Sequence, residues 1–390
     1  VVKIAVADIS TMNDNPGMDT FDDIEVSRPA LAESYLGLLA AQPGRPLALF
    51  APRRVGKTYF LDHDLAPAAK RVGLVPVYAD VWLHKAAPLV AINHALEEAI
   101  DDLTVPSGPL GRLAKTPVTK LGVLGTSLEI GNPPERRPLP NEPELRLDAL
   151  AARLAEKSGQ QVLLMLDEIQ SLGDLLNGEA AIATLRAVLQ KRKRQIMAVF
   201  TGSSQDALAA MMTAVGGPMY QFAQIIDFPV LGVEYLERLA DHFERVHRGT
   251  KLSVPELQRV FGQIGCKPAL MKDLVKAMSA EGSTDVDLGL QRFMQDDRQL
   301  AGWRALLLSL QPFERAVLVM IAQGHPPLGR ETLTRLQEVQ GFSPTLAKVR
   351  VALDKLKKAG VLARPLVGGY TIEDRLFAQY LADLELRKVV

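Results

Sequence analysis

With one cysteine in 390 residues, Cys266, this chain has no means of building an internal disulfide framework or a cysteine-based metal cluster. Neither sign of charge is in excess, since 45 Lys and Arg stand against 45 Asp and Glu. The overall balance therefore argues neither for nor against a polyanionic partner, and any basic surface has to be local. No uninterrupted apolar run approaches the ~20 residues that cross a bilayer. The first residues also lack the basic-then-apolar order of a signal peptide. Together these absences point to a reducing, cytoplasmic setting with no membrane partner. The remaining composition, 47% apolar and 23% charged, is that of an ordinary protein long enough for two or three domains.

What the chain does contain is concentrated in residues 47–58, LALFAPRRVGKT. A short apolar run, suited to a buried strand, feeds a loop ending Gly56-Lys57-Thr58, and a helix-compatible segment follows. In such a bend the loop N–H groups and the helix N-terminus face the β- and γ-phosphates of a nucleotide. Ala51, Pro52, Arg53, Arg54, Val55 and Gly56 would form that cradle. Lys57 would reach the phosphate oxygens as a point charge, and the Thr58 hydroxyl would ligate Mg²⁺. Ala51 stands where the G-x-x-x-x-G-K-[ST] pattern has its first glycine. The same residues also suit a plain turn with a solvated lysine, so the context has to decide.

That context is a second strand, residues 161–168, QVLLMLDE. Five consecutive apolar residues suit a strand buried on both faces of a parallel sheet. Open α/β sheets bind their ligands at the carboxyl edge of such strands. There Asp167 would hold Mg²⁺, and Glu168 would polarise a water in line with the γ-phosphate. A cap on the following helix is the alternative for both acids. Residues 195–200 read as another strand, running into Thr201-Gly202-Ser203-Ser204. Hydroxyls at Thr201 and Ser203 are placed to report the γ-phosphate, although a Gly- and Ser-rich turn is also an ordinary strand end.

Strands expected near 47–50, 74–82, 161–168, 195–200 and 224–230 alternate with helices at 29–41, 86–103, 145–157 and 180–191. That alternation predicts an α/β fold with a mostly parallel sheet covered on both faces. One more strand is expected near 2–6. Residues 105–143, rich in Pro, Gly and Lys with a β-like patch at 118–130, read as an insertion. From 233 onward the pattern is all-helical, with helices at 233–249 and 254–263 and another after Gly265-Cys266-Lys267-Pro268. Residues 283–297 read as a linker or short helices. Helices at 312–323 and 330–339 precede a third, with Ser343 as its N-cap and Pro344 at its first position. Residues 361–372 then read as a hairpin with a glycine turn. Three helices and a hairpin make a winged helix-turn-helix. The expected divisions are a core over 1–232, a helical lid over 233–300 and a winged helix over 301–390.

In the third helix Leu346, Val349, Leu353 and Leu356 form an apolar stripe. Lys348, Arg350 and Lys355 lie off it, as candidate phosphate contacts of a helix in a DNA groove. Solvated surface charge, or a face turned to another protein segment, is the alternative.

Taken together these motifs resemble the AAA+/STAND-like P-loop ATPases, particularly the archaeal-type ATPase family found widely in prokaryotes. The likeness rests on residues 52–58, Asp167-Glu168, residues 200–204, Met219-Tyr220, Gly265 and Pro268. It implies ATP as the nucleotide, bound with Mg²⁺, and a lid that brings Pro268 to it. It also implies Arg28 beside the nucleotide, although Ser27 and Pro29 stand where the family has Gly and Glu. Ala269 occupies the place of the arginine with which many AAA+ proteins sense the γ-phosphate, leaving Lys267 as the nearest cation. Relatives often carry an arginine just after the tyrosine of residues 219–222, where this chain has Gln221 and Phe222. Its absence implies slow hydrolysis unless Arg186, Arg192 or Arg194 serves from a neighbouring subunit. The function implied is an ATP-driven conformational switch whose winged helix passes the state to a protein partner or a second copy. A DNA-binding ATPase acting as a loader or assembly regulator, and a nucleotide-binding scaffold without turnover, stand as alternatives.

Overall fold

The computed structural model describes residues 21, 24–104, 138–174, 178–202, 205–341, 344–363 and 369–384. Five parallel strands form the central sheet: β1 (Leu47–Phe50), β2 (Val75–Asp80), β3 (Val162–Asp167), β4 (Ile196–Thr201) and β5 (Gln224–Asp227). Their order across the sheet is β2-β3-β4-β1-β5. All strands end on one edge, so β4 alone separates the end of β1 from the acidic end of β3. Every residue of β3 is buried, which is why its first five residues read as an apolar run without alternation.

The period-two geometry of strands divides this core between the two faces. Leu163, Met165 and Val199 pack toward α1 (Pro29–Ala41) and the helical segment after the glycine-lysine-threonine bend. Leu164, Leu166, Ala198 and Phe200 pack toward the opposite layer, α4 (Pro88–Asp102), α5 (Pro143–Ser158) and α6 (Gly178–Lys191). The segment after the bend starts as α2 (Lys57–Tyr59), widens into a π-helical turn over Phe60–Leu65 and continues as α3 (Ala66–Arg71). Such π turns are uncommon and concentrate at functional sites. After β4 comes α7 (Gln205–Thr213).

Beyond β5 the chain is helical: α8 (Val233–Val246), α9 (Val254–Gln263), α10 (Pro268–Glu281), α11 (Val286–Met294) and α12 (Asp297–Ser309). Then follow α13 (Pro312–Ala322), α14 (Arg330–Gln340), α15 (Leu346–Lys358), a two-stranded antiparallel ladder of β6 (Leu362–Ala363) and β7 (Thr371–Ile372), and α16 (Arg375–Ala382). Three helices and a ladder repeat the element order expected of a winged helix-turn-helix. One continuous buried cluster runs from Tyr235 to Leu381 and takes in Val26 from the lead-in. Among the described residues no helix is long and apolar enough to cross a membrane.

Beyond 297, where the sequence reading places nothing before 312, α12 buries Trp303 and Leu307. The structure corrects two local expectations. The cap of α15 is Thr345, whose Oγ1 accepts from Lys348 N at 3.2 Å. Thr345 is extended, with ψ 151°, so Pro344 stands before the cap instead of opening the helix, and Ser343 lies outside the described residues. Helix α8 stops at Val246, short of 249, where Arg248 and Gly249 turn to positive φ. The strand near 2–6 and the β-like patch at 118–130 also lie outside the described residues.

Candidate functional site

The bend after β1 turns at Gly56, whose φ of 90° lies in the left-handed region that glycine enters without steric cost. Lys57 follows as the first residue of α2 and is buried. Its Nζ donates to the carbonyls of Ala51 and Pro52, both at 2.8 Å, so the ammonium lies folded across the mouth of the loop. Burial lowers its pKa to about 8, against the opposing pull of Asp167, Glu168 and Glu373.

At the neighbouring strand end Thr58 Oγ1 donates to Asp167 Oδ2 at 2.6 Å. The same carboxylate accepts from the Tyr78 hydroxyl at 3.3 Å, from the fully buried Thr201 hydroxyl, and from Glu168 N at 3.0 Å. Tyr78 reaches it because the β2–β3 register pairs Asp80 with Asp167. Burial and then the charge of Asp167 push the Tyr78 hydroxyl above its usual range. Thr201 is thus committed to fixing Asp167. Ser203, the other candidate reporter hydroxyl, lies outside the described residues.

Glu168 holds φ 58°, a left-handed conformation that a non-glycine residue adopts at some cost. Gln170 Nε2 donates to Glu168 Oε2, while Gln170 Oε1 is buried and unpartnered against Gly202, where a Cβ would displace the amide. The candidate base is therefore clamped by an amide from the turn that follows it.

Gly56, Lys57, Thr58, Asp167 and Glu168 line a cavity of about 750 Å³ together with Ile24 and Val26 of the lead-in and Leu231, Tyr235 and Pro268 from the helical side. That volume lies within the range of small-molecule and cofactor sites, ~300–1,000 Å³. The Tyr235 hydroxyl donates to the Pro268 carbonyl at 2.7 Å, which fixes the start of α10 at the cavity. Apolar walls at one end and Arg53, Arg54 and Lys57 at the other, with Thr58 and two carboxylates able to take a cation, suit a ligand with a flat apolar part and an anionic tail carrying a metal ion.

Arg28 borders the cavity, but its guanidinium is engaged elsewhere: Nη1 donates to Pro229 O at 2.9 Å and the group stacks 4.3 Å from Phe228. Burial lowers its pKa. Lys267 is buried and donates to Glu373 O at 3.1 Å, and it is not among the residues lining the cavity. Arg186 donates to the Pro218 carbonyl and lies over Phe222, Arg192 pairs with Asp148 at 3.0 Å, and Arg194 is exposed. Of the candidate DNA contacts on α15, Lys355 pairs with Glu314 at 3.0 Å and Lys348 lies over the Phe313 ring. Arg350 is exposed. Tyr78, Gln170, Trp82, Tyr235 and Glu373 come to the site without any motif announcing them.

Among the described residues no group of three or more His, Cys, Asp or Glu could hold a metal by itself. Mg²⁺ needs less, because it keeps several waters and takes one or two protein oxygens plus substrate phosphates. The Thr58 hydroxyl and the Asp167 carboxylate fit that donor set.

No protein-family model matches the chain, and no curated protein sequence matches it. Solved structures are similar. The Walker-type ATPase PABY2304 of Pyrococcus abyssi is 17% identical with a TM-score of 0.58, over 92% of this chain and 96% of that one. The ORC2 protein of Aeropyrum pernix, in a structure of its ADPNP and ADP complexes, is 16% identical with a TM-score of 0.52, over 92% of this chain and 91% of that one. At these identities the likeness shows the fold, an α/β P-loop ATPase fold followed by helices.

Proposed function

We propose that this chain binds ATP in the cavity between the bend after β1 and the lid, and hydrolyses it slowly to drive a change in the position of its C-terminal region. The observation that carries this is the 2.6 Å bond between Thr58 and Asp167. It joins the two places, 109 residues apart, that a triphosphate and its cation require together. The similar fold of an ATPase and of a protein complexed with ADPNP and ADP supports the choice of nucleotide.

Lys57 would leave the Ala51 and Pro52 carbonyls for the β- and γ-phosphate oxygens, and the loop N–H groups would hold the chain of phosphates. Thr58 and Asp167 would hold Mg²⁺, which would offset the negative charge of the phosphates. Glu168 would accept a proton from the attacking water. The water oxygen bonds to the γ-phosphorus as the bond to the β,γ-bridging oxygen breaks, and the electron pair stays with ADP.

The switch part of the reading, with a core at 1–232, a lid at 233–300 and a winged helix at 301–390, draws support from contacts across those regions. Lys267 before α10 bonds to Glu373 after β7, and Arg375 Nη1 donates to Gly262 O at 2.9 Å. A change of angle at the lid would therefore move the C-terminal region, which would carry it to a protein partner, a second copy or DNA. Phosphate release from ATP with Mg²⁺ tests the proposal. Lys57→Ala should abolish binding and turnover, and a variant that behaves like the parent removes the basis for it.

A further inference from the structure

Hydrolysis of a phosphate anhydride gains about 10³–10⁵ in rate from an arginine that offsets charge in the transition state. Of the arginines expected to supply it, Arg186 and Arg192 are bonded to Pro218 and Asp148 and Arg194 is exposed outside the cavity lining, while Gln221 and Phe222 stand where relatives carry one. Arg53 is placed differently. It belongs to the phosphate loop itself, is half-buried, and lines the cavity beside Lys57 and Glu168. Among the described residues no carboxylate pairs with it.

What holds Arg53 is an aromatic platform. Its guanidinium carbon lies 5.5 Å from the centroid of Trp82, a ring that also carries Lys85 Nζ at 4.0 Å. On another side it abuts the turn after α15, where a Cβ added to Gly360 would stand 3.1 Å from Nη1. The ring orients the cation without using its N–H donors. The charge of Arg53 also acts on Lys57 and disfavours its charged form. Two cations on one loop, lining the same cavity, form a receptor for an anion brought in by the ligand.

We propose that Arg53 is the transition-state arginine of this chain, supplied in cis from the phosphate loop and poised on Trp82. This inference rests on the cavity being an ATP site. As the water oxygen bonds to the γ-phosphorus and the bridging oxygen departs with its electron pair to ADP, negative charge grows on that oxygen. The guanidinium offsets it, while the water's proton passes to Glu168. Turnover then needs no neighbouring subunit, and the Gly360 contact ties the freedom of Arg53 to the position of the C-terminal region.

Single-turnover hydrolysis and equilibrium binding of ADP and of ADP–aluminium fluoride separate the possibilities. Arg53→Ala should lower the rate by about 10³-fold and abolish the preference for the fluoride complex, with ADP affinity within about threefold of the parent. Arg53→Lys should recover only part of the rate, because an ammonium lacks the planar fork. The parent's rate per chain should hold constant over a ~100-fold dilution. A parental rate in Arg53→Ala, an equal loss of ADP binding, or a rate per chain that falls on dilution overturns the assignment. Lys57→Ala serves as the control: if it leaves turnover intact, the ATP site itself is wrong, whereas its loss beside an active Arg53→Ala refutes the arginine alone.

Discussion

Lys267 Nζ and the Glu373 carbonyl meet at 3.1 Å, joining the residue before α10 to the residue after β7 across 106 positions of chain. Lys267 is buried, and desolvation lowers its pKa. The bond therefore fastens the ladder to the start of α10 where little water competes. Lys267→Ala should destabilise the protein by about 1 kcal/mol, the net worth of a hydrogen bond to a half-buried acceptor. Amide exchange should accelerate around residues 361–373 before it does in β3, and unchanged protection there would contradict the role.

Glu168→Gln should keep nucleotide affinity near that of the parent and lower hydrolysis by about 10²–10⁴-fold, the usual contribution of a positioned base. Phosphate release and ATP binding measured on the same preparation check it. Equal losses in both would show that Glu168 holds the loop instead.

Lys57 gives a pH signature. Its folded pKa of about 8 lies below the 10.5 of the free side chain. Between those values the unfolded chain binds more protons than the folded one. Burial of the Lys57 ammonium therefore costs the nucleotide-free protein stability in full below about pH 8, and that cost is relieved as pH rises through this window. A bound triphosphate restores the charged form. Calorimetry in buffers of different ionisation enthalpy should show uptake of up to about one proton on binding ATP near pH 9, and almost none near pH 6.5. Equal uptake at both would contradict it.

Asp167→Asn keeps the shape of the carboxylate but loses its charge, while Thr58, Tyr78 and Thr201 all donate to it. Dependence of turnover on Mg²⁺ concentration should shift upward by about 10–100-fold, the range seen when metal-site ligand shells are disturbed. A parental Mg²⁺ dependence would remove Asp167 from the cation site.

The parts of the site legible in the sequence are those that consecutive residues encode. Gly56-Lys57-Thr58 after an apolar run, and Asp167-Glu168 at the end of another, carry their chemistry in their order. The alternation of strands and helices likewise conveys the parallel sheet. Tyr78 is different, because it reaches Asp167 only through the β2–β3 register. Trp82 and Gly360 flank Arg53 through tertiary contacts that no local pattern records. Helix α12 escapes sequence reading because its polar first turn, from Asp297, resembles a linker, while Trp303 and Leu307 reveal their burial only once packed. At α15 both Ser343-Pro344 and Thr345 satisfy cap rules, and the bond from Lys348 N decides for Thr345.

A crystal structure of the chain with Mg²⁺ and a non-hydrolysable ATP analogue tests the central claim most directly. The triphosphate should lie against Gly56, Lys57 and Thr58, with Lys57 Nζ moved from the Ala51 and Pro52 carbonyls onto phosphate oxygens and the base between Val26 and Tyr235. A nucleotide bound elsewhere, or Lys57 still bonded to those two carbonyls beside a bound triphosphate, would contradict it.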